Sequence, residues 1–320
     1  MISNLNLNTR ALLLVEALLA RAEERRVAVE NVEGGGRVVD CGIEARGGLL
    51  AGLDLARICL AGLAEVAIVP GEVGGRPCPT VQVVTDHPVA SCLASQYAGW
   101  HLSVDEPRFF AMGSGPMRAA YAHEAIFKAI GPAEDAPAVV GVLEGRKRPG
   151  PAVFSKVAEA CRVPASAVTL LIAPTASLAG GVQVVARSVE TALHKLAGHG
   201  FDLGRVVSAF GSAPLPPVAK DDMAAIGRTN DAILYGARVV LNVKGDDASL
   251  AELGPKVPSL SSHDHGEPFA AIFARYNHDF YAVDPHLFSP AEVVFQNLDT
   301  GRAQVFGRIA ADVLVRSFYA

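Results

Sequence analysis

Residues Val168–Leu196 read VTLLIAPTASLAGGVQVVARSVETALHKL, and this stretch decides the fold. Its first part, Val168–Ile172, is a short apolar run with the length of a buried strand. After a turn that contains Pro and Ser, apolar residues recur every three or four positions through Leu178–Leu196, which is the period of a helix. A buried strand followed at once by a long helix is the repeating unit of α/β proteins.

The same alternation of short strands and amphipathic helices continues in both directions, so the sequence predicts a mixed α/β fold (α+β). At the N-terminus it predicts a helix over Asn8–Arg26, with Asn8 as the N-cap. The segment Glu144–Pro151 (EGRKRPGP) combines Pro and Gly with polar residues, as linkers do. We therefore predict an N-terminal α/β domain over residues 1–148 and a C-terminal α/β domain over 149–320, a boundary that interleaving of the domains would shift.

The composition limits the class of protein. Half of the 320 residues are hydrophobic, 19% are charged and the formal net charge is −5. Such a chain can bury a core, and it lacks the basic excess of a nucleic-acid-binding protein. No apolar run reaches the roughly 18 residues that cross a bilayer, and the N-terminus lacks a secretory pattern, so no membrane partner is expected. The cysteines form no C-x-x-C pair, which favours a reducing cytoplasm over disulfides or thiolate zinc: Cys41, Cys59, Cys78, Cys92 and Cys161.

A narrow polar stripe runs along the predicted helix Leu178–Leu196. At 100° per residue, four polar side chains lie within about 60° of one another: Gln183, Arg187, Glu190 and His194. Arg187 and Glu190 are three residues apart and can pair. One interpretation is a solvated, salt-bridged face. The other is a carboxylate held and tuned by an arginine in a cleft wall.

A second candidate site is the Gly-rich turn Gly113–Gly115, between a predicted strand and a helix expected over Met117–Ile130. Pro116 suits the first helical position, because its missing N–H has no partner there in any case. Free amides at such a helix start, with Arg118 in the first turn, suit an anion or the polar edge of a heterocycle. The alternative is an ordinary tight turn. The residues predicted to touch a ligand are Gly113, Ser114, Gly115 and Arg118.

The histidines suggest a third candidate. The segment His263-Asp264-His265, followed by Glu267, His278-Asp279 and His286, has the composition of a metal cluster. Ligands two residues apart outside an H-E-x-x-H helix are weakly specific, so a polar loop is the alternative. Neither a Walker loop nor a dinucleotide fingerprint is present in strand-to-helix context. The sequence therefore predicts no nucleotide cofactor, and we expect no metal.

Several blocks of the sequence resemble one known family. The stretch Ala173–Leu196 closely resembles the central motif of methenyltetrahydromethanopterin cyclohydrolases. Further blocks follow in family order over most of the chain: ASQYAGW at Ala94–Trp100, AMGSGPMR at Ala111–Arg118, GRTNDAILYG at Gly227–Gly236 and DPHLFSP at Asp284–Pro290. Because several motifs carry the resemblance, it covers the chain rather than one segment.

The resemblance implies a cytoplasmic enzyme of one-carbon metabolism that interconverts 5,10-methenyltetrahydromethanopterin plus water with 5-formyltetrahydromethanopterin, without metal or nicotinamide. It also implies a two-domain subunit with the pterin cleft between domains, and a homo-oligomer, with a trimer favoured. The family's catalytic arginine and glutamate, three residues apart, match Arg187 and Glu190. Besides the Gly113–Arg118 turn, substrate contacts are expected from Gln183, His194, Tyr97, Thr175 and Ser177.

One position departs from part of the family. Tyr97 stands where archaeal members carry Lys, and bacterial methylotroph members share the Tyr. A cationic contributor is therefore absent at this point. Two other classes of function stay open at the level of sequence: a pterin-binding protein without turnover, and a metal-dependent amidohydrolase that uses the loop His263–His286.

Overall fold

The computed structural model describes residues 5–131, 133–280 and 282–319. The chain forms two compact units. Unit 1 comprises the residues up to Ala64 together with Ala90–Gln183, and unit 2 comprises Glu65–Val89 together with the residues from Val184 onward. The two units are thus interleaved in sequence, and the division expected between residues 148 and 149 falls inside unit 1.

The segment Glu144–Pro151 is an internal connection of unit 1 rather than a linker. It joins a strand to a helix, and Pro151 occupies the start of that helix. Arg148 forms ion pairs with three carboxylates of the same unit: Asp40 at 3.2 Å, Glu30 at 2.5 Å and Glu44 at 2.7 Å. Pro and Gly mark turns inside a unit as readily as boundaries between units.

Unit 1 is built on a six-stranded sheet. With strands numbered along the whole chain, its members are β1 (Ala28–Asn31), β2 (Arg37–Asp40), β7 (Trp100–Val104), β8 (Phe109–Ser114), β9 (Val139–Glu144) and β10 (Val168–Ala173). Their order is β1-β2-β10-β9-β8-β7. β2, β10 and β9 are parallel, with Leu170 opposite Val38 and Gly141, and the outer pairs are antiparallel. All of β10 is buried, as expected for a central strand that is covered on both faces.

Helices cover both faces of this sheet. They are α1 (Leu7–Leu19), α2 (Ala22–Arg25), α3 (Leu49–Cys59), α4 (Met117–Tyr121), α5 (Phe127–Ile130), α6 (Pro151–Cys161) and α7 (Leu178–Val185), at whose end the chain passes into unit 2. α1 and α3 pack with Val39 and Leu171, whereas α6 packs with Val38 and Leu170 on the opposite face. A π-helix, Val89–Gln96, precedes β7.

Unit 2 contains the second six-stranded sheet. Its strands are β3 (Glu65–Val69), β6 (Thr80–Thr85), β11 (Val206–Pro214), β12 (Arg238–Val243), β13 (Glu292–Asn297) and β14 (Ala303–Gly307), and a separate hairpin contains β4 (Glu72–Val73) and β5 (Arg76–Pro77). The order is β14-β13-β12-β11-β6-β3. Only β12 and β13 are parallel. The helices are α8 (Ser188–Gly198), α9 (Asp222–Leu234), α10 (Asp247–Leu253), α11 (Phe269–Arg275) and α12 (Ala311–Tyr319).

The structure confirms a mixed α/β fold, and it differs from the expected helices in three places. The N-terminal helix ends at Leu19, and Asn8 lies inside it rather than capping it. Its buried side chain donates to the carbonyl of Pro116 and to Glu134, and accepts from the N–H of Val140. The helix expected over Met117–Ile130 is two short helices, α4 and α5, and the helix Leu178–Leu196 is interrupted between α7 and α8.

In the described part of the chain, no helix combines the length and the apolar character needed to cross a membrane.

Candidate active site

The segment that leads into α7 is fixed by its own backbone and by Ser177. The Ser177 hydroxyl donates to the carbonyl of Pro174 at 2.7 Å and accepts the N–H of Gly180 at 3.0 Å, which makes it an N-cap. Gly180 has no room for a side chain, because a Cβ there would lie 2.0 Å from the Pro174 oxygen. Ser177 thus has a structural role, whereas its expected substrate contact stays a prediction, as does that of the buried Thr175.

Arg187 and Glu190 lie where α8 begins. Arg187 is the N-cap residue of α8, with φ −94° and ψ 10°, and its carbonyl accepts the N–H of Thr191 at 3.0 Å. Glu190 is therefore the third residue of the helix, in the first turn. Unsatisfied N–H groups and the helix dipole stabilise negative charge there. The N-cap and the third residue lie about one turn apart at this helix start, and the pairing of the Arg187 and Glu190 side chains stays a prediction.

The polar stripe of this segment is buried. Gln183, Arg187 and Glu190 are 2%, 6% and 4% exposed, respectively. This contradicts the interpretation of a solvated, salt-bridged face, which would leave these side chains in water. Buried charged groups are rare in proteins and are retained where they are paired or functional. The interpretation of a carboxylate beside an arginine at a functional site is the one that the burial favours.

Two further predicted residues lie on the same segment. Gln183 belongs to unit 1, where its Nε2 approaches Oε1 of Glu144 at 3.5 Å. Glu144 ends β9 and was placed in the supposed linker, so its contact with Gln183 was missed from the sequence. His194 belongs to unit 2 and lies on α8, one turn beyond Glu190, where it is half-buried.

The Gly113–Gly115 turn and Arg118 lie in the interior of unit 1. The Gly115 N–H donates to the carbonyl of Ser95 at 2.9 Å, and the Ser114 hydroxyl donates to the carbonyl of Val142 at 2.9 Å. The Arg118 side chain is fully buried and bonded to protein groups. Because these donors already have protein acceptors, the geometry supports the ordinary tight turn rather than an anion site.

Comparison with known proteins places the chain in a family. A family model described as Cyclohydrolase (MCH) matches residues 6–318. The methenyltetrahydromethanopterin cyclohydrolase of Methylobacterium sp. (strain 4-46) is 50% identical over 316 residues, which cover 98% of this chain and 97% of that protein. The chain belongs to the cyclohydrolase (MCH) family. Proteins with the same name from Rhodopirellula baltica (51% identical over 289 residues; 89% and 86% covered) and Methanosphaerula palustris (42% over 315 residues; 98% and 99% covered) are also similar.

Two of the blocks that carry the family resemblance have clear structural roles in unit 2. In the block Gly227–Gly236, Asp231 accepts the N–H of Phe269 at 2.7 Å and so holds the start of α11. Burial raises the pKa of Asp231 to about 7. In the block Asp284–Pro290, the carbonyl of His286 accepts from Nζ of Lys195 at 2.6 Å, which ties this loop to α8. Burial lowers the pKa of Lys195 to about 8.

The loop histidines have separate partners. His263 is three-quarters exposed, with Nδ1 3.0 Å from Asp284, and the ring of His265 lies 4.9 Å from that of Tyr235. The rings of His278 and His286 lie against Phe273 and His199, respectively. Within residues 5–131, 133–280 and 282–319, no group of three or more His, Cys, Asp or Glu side chains has the arrangement of a metal site.

Gly211 lets α8 approach the sheet of unit 2. A Cβ on Gly211 would lie 2.4 Å from Oγ of Ser188 and 2.7 Å from Cγ2 of Val189, the first two residues of α8. We expect Gly211→Ala to displace the start of α8, and with it Arg187 and Glu190. Overpacking of this kind destabilises by about 1–3 kcal/mol, and small displacements of catalytic groups lower turnover by up to ~10²-fold.

Gly198→Ala is the matched control for Gly211→Ala. Gly198 is the last residue of α8, and a Cβ there meets no atom within 4 Å. Turnover and melting temperature of both variants are compared with those of the parent protein. Equal turnover in the two variants would show that the start of α8 is not held by its packing against Gly211.

Proposed function

We propose that this chain catalyses the hydrolysis of 5,10-methenyltetrahydromethanopterin to 5-formyltetrahydromethanopterin, and the reverse reaction. Membership of the cyclohydrolase family supports the proposal, as do the names of relatives that are 42–51% identical. The observation that carries it is the pair Arg187 and Glu190, both buried at the start of α8. This pair supplies a carboxylate and a cation where the substrate requires a base.

The reaction needs a positioned base more than an electrophilic activator. The methenyl carbon belongs to an amidinium cation and is already electrophilic. In the proposed mechanism, Glu190 accepts a proton from water as the oxygen bonds to this carbon. It then gives the proton to N10, the departing nitrogen of the amidinium, as the C–N10 bond breaks, and the hydroxyl proton of the adduct leaves to solvent as the formyl group forms on N5. One carboxylate thus serves as base and acid.

Arg187 stabilises this arrangement through its charge. A buried carboxylate without a cation or hydrogen-bond donors would be strongly destabilised. Arg187 at the N-cap position lies about one helical turn from Glu190, so its charge compensates that of the carboxylate in the proposed site. Gln183, His194, Thr175 and Tyr97 remain proposed substrate contacts.

The proposed mechanism uses no metal ion, so we expect turnover to survive prolonged dialysis against a chelator. The amidinium supplies the electrophilicity that a Lewis acid would otherwise provide. Elemental analysis of active protein, together with turnover before and after dialysis, checks this. Loss of turnover that returns with a stoichiometric metal would instead favour an amidohydrolase mechanism and would place the site at the histidine loop.

The function is tested by following the methenyl absorbance band of the substrate with purified protein. We expect the band to decay with the tetrahydromethanopterin derivative, at a rate proportional to protein concentration. The tetrahydrofolate derivative, measured beside it, reports the selectivity for the carrier. Binding without any change in the band would support a pterin-binding protein and would contradict the proposal.

We further propose that the enzyme is a cytoplasmic homo-oligomer, with a trimer as the expected form. The family resemblance supports the oligomer, and the five cysteines, all buried and none in a disulfide, suit a reducing compartment. Light scattering coupled to gel filtration measures the mass against the 33.4 kDa chain. A monomer at the concentration of the assay would contradict this proposal.

A further inference from the structure

Arg118 is a fully buried arginine whose donors contact one carboxylate and two backbone carbonyls. Its Nε donates to Oε1 of Glu124 at 2.8 Å, and its Nη2 bonds to Oε2 of the same carboxylate. Its Nη1 donates to the carbonyl of Leu93 at 2.7 Å and lies 3.3 Å from that of Ser95. A buried guanidinium is tolerated because it is paired and hydrogen-bonded in this way. The pair is therefore a fixed part of the interior of unit 1.

The carbonyls that Arg118 binds belong to the end of the π-helix Val89–Gln96. The π pattern extends to the next residue, since the Tyr97 N–H donates to the carbonyl of Cys92, five residues back, at 2.8 Å. π-Helical turns are rare and are often found at functional sites. Arg118 satisfies carbonyls at the C-terminal end of this helix, where helical partners run out. It thus fixes the backbone that carries Tyr97.

The guanidinium of Arg118 also lies against the ring of Tyr97. Its central carbon is 4.8 Å from the centroid of that ring and 5.6 Å from the centroid of Phe127. Gly99 leaves room for this stack, because a Cβ there would lie 2.5 Å from Cε1 of Tyr97 and 2.4 Å from Oε2 of Glu124. The Tyr97 ring is half-buried, so part of it is accessible while Arg118 has no exposed surface.

We propose that Arg118 is a positioning residue for substrate binding that acts through Tyr97. Its salt bridge to Glu124, its bonds to the π-helix and its stack under the ring together set where the phenol of Tyr97 lies. Tyr97 then contacts the pterin substrate, whereas Arg118 itself does not. This inference rests on the proposed function, and it replaces the direct ligand contact that the sequence predicted for Arg118.

A double-mutant cycle tests the inference. One arm is Tyr97→Ala, and the other is Arg118→Met with Glu124→Gln, which removes both charges together so that no carboxylate is left buried alone. We expect each arm to raise KM about tenfold and to change kcat by less than about threefold. Because Arg118 acts through Tyr97, the triple variant should have the KM of Tyr97→Ala alone. Effects that multiply in the triple variant, or an unchanged KM in the Arg118 arm, would overturn the inference.

Arg118→Lys provides a second, milder arm. Lysine keeps the positive charge but lacks the planar fork that binds Glu124 and the carbonyls at once. We expect a KM between those of the parent and the Arg118→Met, Glu124→Gln variant, and no effect in the Tyr97→Ala background. If the Arg118→Met, Glu124→Gln variant does not fold, Arg118→Lys takes its place in the cycle, and the same outcomes support or overturn the inference.

The fluorescence of Trp100, the only tryptophan in the chain, distinguishes a general change in packing from a change in the position of Tyr97. Its ring stacks on Tyr121 at 4.1 Å, and Tyr121 is the last residue of α4, which also carries Arg118. Unchanged Trp100 emission together with a raised KM is the expected result. A shifted emission spectrum that accompanies the raised KM would indicate a merely structural role and would overturn the inference.

A control salt bridge exists in the same unit. Arg25 and Asp54 lie 2.5 Å apart and are mostly buried, and the variant Arg25→Met with Asp54→Asn should leave KM unchanged. A KM raised as much by this control as by the Arg118 arm would also overturn the inference. If the parent protein shows no turnover, both the proposed function and the inference are overturned. If it shows turnover but the KM increases of the Tyr97 and Arg118 arms multiply, only the inference is overturned.

Discussion

Glu190→Gln is expected to lower turnover by about 10²–10⁴-fold while substrate affinity stays within roughly tenfold of the parent value. A positioned acid–base group contributes about this much. The amide has nearly the same shape as the carboxylate but accepts no proton from water and has none to give to the departing nitrogen, N10. The initial rate of decay of the methenyl band gives kcat, and equilibrium binding gives the affinity.

Glu134→Gln is the matched control. Glu134 and Glu190 are both 4% exposed, so the two substitutions neutralise equally buried carboxyl groups. Glu134 accepts from the backbone and side chain of Asn8 in unit 1, and burial raises its pKa. We expect Glu134→Gln to keep near-native turnover. Near-native turnover in Glu190→Gln would mean that another group is the base, and equal losses would mean that neutralising a buried carboxyl is itself the cause.

The helix predicted over Leu178–Leu196 is interrupted, and the proposed pair Arg187 and Glu190 does not depend on its continuity. The pairing of Arg187 with Glu190 was argued from a continuous helix, yet the helix stops and restarts at Arg187. Three-residue spacing brings side chains together within a helix and also between the N-cap and N3 positions of a new one. The pairing therefore stays a prediction that does not depend on a continuous helix, whereas the break could not be read from the sequence. No Pro or Gly marks residues 186–187, and α8 restarts where it packs against Gly211, a contact distant in sequence.

The fold class could be read from the sequence, but the division into units could not. The local periodicity of apolar residues predicts strands and helices, and their alternation predicts the α/β class. The units depend on pairing between distant strands. β6 lies in the first third of the chain yet pairs with β11 and β3 in unit 2. No local pattern near residues 65–89 identifies that partner, so the sequence predicts two consecutive domains rather than interleaved units.

Burial is the other property that local sequence did not reveal. The sequence predicts that Arg118 contacts an anion or the polar edge of a heterocycle, because it follows a Gly-rich turn. Its real acceptors are Glu124, six residues away, and carbonyls of the preceding π-helix. The presence of a carboxylate nearby was visible in the sequence. That the pair would be enclosed depends on how α4 packs in unit 1.

Gly115→Val is expected to reduce thermal stability strongly. Gly115 has φ +89°, a conformation that β-branched residues rarely adopt, and strain of this kind destabilises by about 1–3 kcal/mol. A Cβ there would also lie 3.1 Å from the N of Val142 and 3.3 Å from the carbonyl oxygen of Val140, which are backbone atoms of β9. Backbone atoms cannot rotate away as a side chain can, so overpacking adds about 1–3 kcal/mol.

Gly150→Val separates this effect from the general consequences of adding a valine to unit 1. Gly150 has φ −96°, and a Cβ there meets no atom within 4 Å. Melting curves should show a large drop for Gly115→Val and little change for Gly150→Val, and the folded fraction of Gly115→Val should keep its KM. A raised KM with an unchanged melting temperature would reverse the assignment. In that case the turn would contact the pterin directly, as its sequence suggested, because only a ligand surface would lose affinity without losing stability.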